Sequence, residues 1–217
     1  MILREIEFAF LKRSEVYEYD FRLRINHIID SIYFRMPKKL KTSSVIKLVC
    51  FACEEPYEIA FQTAEGVGTT YVDCPNAEKI LHMEQEKAVS AVIEVLKKGV
   101  DIAAKYDDGI RENIEIIKNL IDSSPTPFDY YRGIKRSHRS RKYKCEGIIH
   151  IQPNKYISEV LVSDKQGNLE RIKIKEIEPI VHCTDLGFNK LLWEGDAIVG
   201  MTDNFTTFKL EPKIVRN

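Results

Sequence analysis

Apolar and charged positions alternate from the start of the chain. Over residues 2–11, Ile2, Ile6, Phe8 and Phe10 fall on one side, and Glu5, Glu7 and Ala9 on the other. Residues 16–25 repeat the pattern, with Tyr17, Tyr19, Phe21, Leu23 and Ile25 set against Glu18, Asp20, Arg22 and Arg24. Period-two alternation of aromatic and β-branched residues predicts half-buried strands. The short link Lys12-Arg13-Ser14-Glu15 predicts an antiparallel hairpin. Residues 28–36 read as a weak continuation of this meander. Residues 45–52 are nearly all apolar and predict a central strand. Residues 57–62 and 69–72 read as two more short strands around Glu65-Gly66-Val67-Gly68.

The period then changes. After Cys74-Pro75, Asn76 is a residue type suited to capping a helix start, and Glu78 falls in the first turn. Leu81, Ala88, Val92, Val95, Val100, Ala103 and Tyr106 recur at helical steps and form one apolar stripe. Gly99 is placed to kink or end this helix. Asp107-Asp108-Gly109 reads as a turn that caps a second helix over residues 110–121, with Ile110, Ile114, Ile117 and Ile121 on one face. Two amphipathic helices with a short joint predict an antiparallel pair lying on a sheet. Asp122-Ser123-Ser124-Pro125-Thr126-Pro127 is the strongest breaker. Strands return over residues 143–152, 156–163, 169–177, 180–183, 197–202 and 205–210. The expected fold is therefore α+β: an antiparallel N-terminal sheet, a central helical hairpin and a second antiparallel C-terminal sheet. Residues 1–124 and 125–217 form the two parts, expected to pack as one compact unit.

Composition changes this picture little. At 44% apolar and 30% charged, the 217 residues are ordinary globular material with zero formal net charge. Residues 1–124 carry 17 Lys and Arg against 21 Asp and Glu, while residues 125–217 carry 16 against 12. That is a mild imbalance, not the basic excess of a typical nucleic-acid binder. Met-Ile-Leu-Arg-Glu-Ile-Glu-Phe lacks the basic and apolar regions of an export signal, and no apolar run is long enough to span a bilayer. The expected location is cytoplasmic, with five reduced cysteines.

No chemistry is forced by these residues. Cys50-x-x-Cys53 with Cys74 and His82 sketches a zinc site, but three residues along a strand point to opposite faces; buried free thiols are the alternative. His150, within Ile148-Ile149-His150-Ile151, reads as a hydrogen-bonded strand histidine. His82 and Glu86 stand one helical turn apart, suited to a surface hydrogen bond. There is no GxSxG elbow, and Gly66-Val67-Gly68 lacks the rest of a phosphate loop. The expectation is a protein that is not an enzyme, without catalytic, cofactor-binding or metal-binding residues. The basic tract Arg132, Lys135, Arg136, Arg139, Arg141, Lys142 and Lys144, interleaved with Tyr130, Tyr131 and Tyr143, reads as a solvated loop entering a strand. Alternatively it is a phosphate-binding strip, with Arg136, Arg139, Arg141 and Lys142 as its contacts. Carboxylates cluster in the first half. Glu54, Glu55, Glu84, Glu86 and Glu94 are the candidate contacts to a basic partner, against the reading of a solubilising surface.

The layout of residues 76–204 resembles bacterial immunity proteins of polymorphic-toxin and contact-dependent growth inhibition systems. The matching pieces are the helical region 79–121, the basic stretch 135–144, the hairpin 162–174 across Lys165-Gln166-Gly167, and Leu191-Leu192-Trp193-Glu194-Gly195-Asp196. The resemblance implies a toxin inhibitor that acts by protein–protein interaction, occluding a cognate protein toxin, a nuclease among the candidates, sterically and electrostatically. It transfers no site residue. The rival readings are a nucleic-acid-associated protein using residues 132–144, and an enzyme with an unrecognised site.

Overall fold

The computed structural model describes residues 1–11, 18–179, 187–202 and 205–216. The chain divides into two compact units, Met1–Thr126 and Pro127–Asn217. Among the described residues no helix is long and apolar enough to cross a membrane.

The first unit is a four-stranded sheet with helices on one face. Its strands are β1 (Glu5–Phe10), β2 (Lys47–Cys53), β3 (Phe61–Ala64) and β4 (Val67–Asp73), in the order β1-β2-β4-β3. Here the expectation of an antiparallel sheet fails. β1 pairs parallel with β2, and β2 pairs parallel with β4; only the β3/β4 hairpin is antiparallel. That hairpin turns at Glu65-Gly66, both at positive φ (50° and 82°), which suits the primed turns of tight hairpins. β2 is central, as expected, though its residues alternate between fully and partly buried. Tyr57 lies before β3, in the β2–β3 connection.

The parallel β1/β2 pairing goes with a crossover helix, α1 (Glu18–Arg35), where the meander was expected. Phe21, Ile25, Ile28 and Ile32 are all buried. Their steps of four, three and four follow one helical face, and this stripe overrode the period-two pattern in the same residues. The proposed link at residues 12–15 lies outside the described residues.

The long helical region is subdivided. A short α2 (Ala77–Ile80) precedes α3 (Gln85–Ala103), then α4 (Asp108–Glu112) and α5 (Ile114–Ser123). Asn76 stands at the start of α2 but makes no side-chain cap. Gly99 does not end α3, which runs on to Ala103. A Cβ there would lie 2.4 Å from Cys50 Sγ and 2.8 Å from Thr70 Oγ1, so glycine lets the helix approach the sheet closely. α3 packs on β4 and β2 and beside α1 and α5, so several helices, not a lone hairpin, cover the sheet. Their core joins Ile6, Leu48, Cys50 and Val72 of the strands to Ile28, Ile32, Val92, Leu96, Ile117 and Ile121.

The second unit is antiparallel throughout its described strands. β5 (Phe128–Ser137), β6 (Tyr143–Gln152), β7 (Lys155–Asp164) and β8 (Leu169–Ile177) form one meander. β9 (Lys190–Glu194), β10 (Ala197–Thr202) and β11 (Phe205–Leu210) form a three-stranded sheet in the order β11-β10-β9, and α6 (Lys213–Arg216) follows. Its core joins Cys145, Val160 and Val162 of the meander to Phe188, Leu191 and Ile198. Part of the basic tract is strand: β5 pairs with β6 from Phe128 to Ser137, with a register break between Tyr131 and Lys135. The strand expected at residues 180–183, with His182 and Cys183, and the turn at Asp203-Asn204 lie outside the described residues.

Candidate protein-binding face

Glu54 leaves the carboxyl end of β2 directly after Cys53. Its Oε1 accepts the Glu78 backbone N–H at 3.1 Å, in the first turn of α2. Glu94, on α3, is ion-paired with Lys98 at 2.9 Å, and this hydrogen bond holds its carboxyl below the usual range. Glu94, Lys98 and Asp73 all act electrostatically on the Cys74 thiol, although burial is the larger influence that pushes the thiol up. Glu54 and Glu94 therefore converge on the carboxyl ends of β2 and β4. Glu84 and Glu86 do not join them. Glu84 is the N-cap position of α3 and Glu86 lies in its first turn; ten helical residues separate Glu84 from Glu94, roughly 15 Å along the axis. His82 precedes α3, so the expected one-turn relation to Glu86 is not made within one helix.

The sequence from Leu48 to Glu78 explains the charge of this end. It holds Glu54, Glu55, Glu58, Asp73 and Glu78, with Glu65 at the opposite end in the β3/β4 turn, and no lysine or arginine. All six are exposed. The face of the sheet turned away from the helices adds an apolar component that the sequence reading overlooked. β2 and β4 place Phe51 opposite Tyr71, with ring centroids 5.8 Å apart and nearly parallel planes. Tyr57 stacks on Tyr71 at 4.2 Å. No local sequence signal pairs Phe51 with Tyr71; the register of β2 on β4 does. On the same face Lys47 bridges Glu5 (3.3 Å) and Glu7 (2.5 Å). Burial works against its charge, but the two carboxylates hold the ammonium above its ordinary value.

The basic residues form a hairpin tip in the second unit. Arg136 is the penultimate residue of β5, while Arg139, Arg141 and Lys142 sit in the turn to β6, all four exposed. The Arg136 guanidinium donates to the Lys135 carbonyl at 3.0 Å. Arg139, Arg141 and Lys142 make no ion pair among the described residues. The turn is pinned by His138, which is only 5% exposed. Its Nε2 donates to the Gly195 carbonyl at 2.9 Å, and its Nδ1 accepts the Ser140 N–H at 3.2 Å. The ring meets Trp193 edge-on at 4.9 Å. Trp193 Nε1 in turn donates to the Arg136 carbonyl at 3.2 Å.

The remaining candidates are structural. Cys50 faces Gly99, so strand alternation turns Cys53 away from it. Burial pushes the Cys50 thiol up to about 12 and the Cys145 thiol up to about 11. No group of three or more metal-ligating side chains occurs among the described residues. His150 is a hydrogen-bonded strand histidine: Nδ1 faces Asp129 and Nε2 faces Glu159 at 2.8 Å. No protein-family model matches the chain, and comparisons with curated proteins and with solved structures return no match.

Proposed function

We propose that the chain is an immunity protein that binds a cognate protein toxin in the cytoplasm of the producing cell and blocks it by steric and electrostatic occlusion. The observation that carries this reading is the set of exposed carboxylates Glu54, Glu55, Asp73 and Glu78 at and beyond the carboxyl ends of β2 and β4, in a stretch of sequence with no lysine or arginine. A basic protein surface is its electrostatic complement, and such complementarity speeds encounter and fixes register. Nuclease toxins, basic around their substrate groove, are suitable partners. The reading is of a binding protein and not an enzyme. Burial works against thiolate formation at Cys50 and Cys145, and both ring nitrogens of His150 are engaged by carboxylates. The test is purification with the toxin encoded beside this gene. A one-to-one complex is expected, and Glu54→Lys with Glu55→Lys should weaken it at least about tenfold. An unchanged affinity in charge reversals at every exposed acid of residues 54–94 would remove this face from the reading.

The basic hairpin tip supports a second reading, a nucleic-acid-associated protein. Arg139, Arg141 and Lys142 are exposed on a turn that His138 hydrogen-bonds to Ser140 and to the Gly195 carbonyl. On this reading, retention on RNA or DNA is salt-sensitive and disappears when Arg136, Arg139 and Arg141 are neutralised together.

A further inference from the structure

We propose that the outer ring face of Tyr57 is the seat of an arginine side chain carried by a basic protein partner. The inference rests on the acidic-face reading and gives that face an anchor. Phe51, Tyr71 and Tyr57 form a three-ring ladder, and Tyr57 is its end: Tyr71 covers one side of its ring at 4.2 Å, yet the residue stays 48% exposed. The ladder is held from below. Phe51 and Tyr71 are fixed by cross-strand pairing, and Gln62 donates to the Tyr71 hydroxyl at 2.6 Å. A tyrosine left half-exposed on a fixed stack offers a preorganised flat surface at small entropic cost.

The charge around it selects the occupant. Glu54 and Glu55 precede Tyr57 within three residues and Glu58 follows it, all exposed. A guanidinium is planar and weakly hydrated, stacks on an aromatic face, and offers paired donors to a carboxylate. A lysine ammonium is compact and strongly hydrated, and does not stack as a plane. Phosphate would be repelled here. The expected occupant is therefore arginine in a polypeptide, not lysine and not a nucleic acid.

The experiment is a titration of the full-length protein, followed by NMR of its tyrosine rings and its backbone. The probes are three short peptides identical except for a central arginine, lysine or citrulline. Saturable shifts of the Tyr57 ring are expected with the arginine peptide, at about fivefold lower concentration than with lysine and with no response to citrulline. Tyr57→Ala should remove the preference for arginine, and Tyr57→Phe, which keeps the ring, should retain it. Equal binding of arginine and lysine peptides, or an arginine preference unchanged by Tyr57→Ala, overturns the seat. If both cationic peptides shift residues 54–58 equally, the seat fails while the acidic-face reading stands. If neither shifts any residue from 48 to 78, both fail. Shifts of Tyr57 by an oligonucleotide but not by the peptides overturn the choice of partner.

Discussion

Asp107 is fully buried and accepts three backbone N–H groups: Ile110 at 3.0 Å, Ser43 at 2.9 Å and Ser44 at 2.7 Å; the Ser44 hydroxyl adds a fourth bond at 3.0 Å. Burial opposes its charge, but these donors together hold the carboxyl below its usual range. One carboxylate thus caps α4 and ties the loop before β2 to it. Replacing Asp107 with Ala strands several buried donors and should cost about 2–4 kcal/mol, read from urea unfolding. His27 works in the opposite chemical sense. It is 3% exposed, with Nδ1 unpartnered, and burial lowers its pKa from 6.5 to about 4. The folded state therefore favours the neutral ring. Stability from this group is complete above pH 6.5 and is lost as pH falls toward 4, by roughly 3 kcal/mol in all. The depressed Asp107 carboxyl adds a further loss at lower pH, below the unfolded carboxylate value. Unfolding free energies measured across this range should show the first slope, and His27→Met should flatten it.

At the scale of elements, the decisive contact is α3 against the sheet. Alanine is intrinsically the better helix former by about 1 kcal/mol. At Gly99, however, its Cβ would meet Cys50 Sγ at 2.4 Å. Gly99→Ala should therefore destabilise the protein by about 1–3 kcal/mol. Adding Cys50→Ala should recover part of that loss, since Thr70 Oγ1 at 2.8 Å remains in the way, an interaction visible in a double-mutant cycle. α1 shows why elements were partly illegible in sequence. Its residues satisfy both a two-residue and a helical period, and local pattern cannot choose between them. Parallel pairing of β1 and β2 requires a crossover between them, a constraint that residues 16–25 alone do not reveal. By contrast, the stripe of α3 and the strands β7 and β8 were legible because each obeys a single period over many residues. The basic tract hid β5, because its charged residues Asp129, Arg132, Lys135 and Arg136 follow no two-residue period and a register break interrupts the strand.

At the scale of the molecule, two separate cores account for the two units. The first draws on residues from Leu3 to Ile121, the second on residues from Cys145 to Ile198. All residues of the first core lie within residues 1–126, which expressed alone should unfold cooperatively in urea. A broad transition without a baseline would show that this unit depends on the rest of the chain. The acidic candidates Glu54, Glu55, Glu84, Glu86 and Glu94 all belong to this first unit, and the basic tip belongs to the second. Partner binding through the acidic face should therefore be retained by residues 1–126 once they are shown to fold.

The sequence by itself determined the α+β class, the breaker near residue 125, the long helix and the antiparallel meander. Each of these follows from short-range periodicity and residue chemistry. It also determined the acidic stretch from Glu54 to Glu78, since charge can be read without coordinates. Strand order, the parallel pairing of β1, β2 and β4, and the helical state of α1 were decided only by tertiary structure, because they depend on contacts between residues distant in the chain. The same holds for the Tyr57–Tyr71–Phe51 ladder: nothing local marks these three aromatics as neighbours, and only the register of β2 on β4, with the loop folded back over it, brings their rings together.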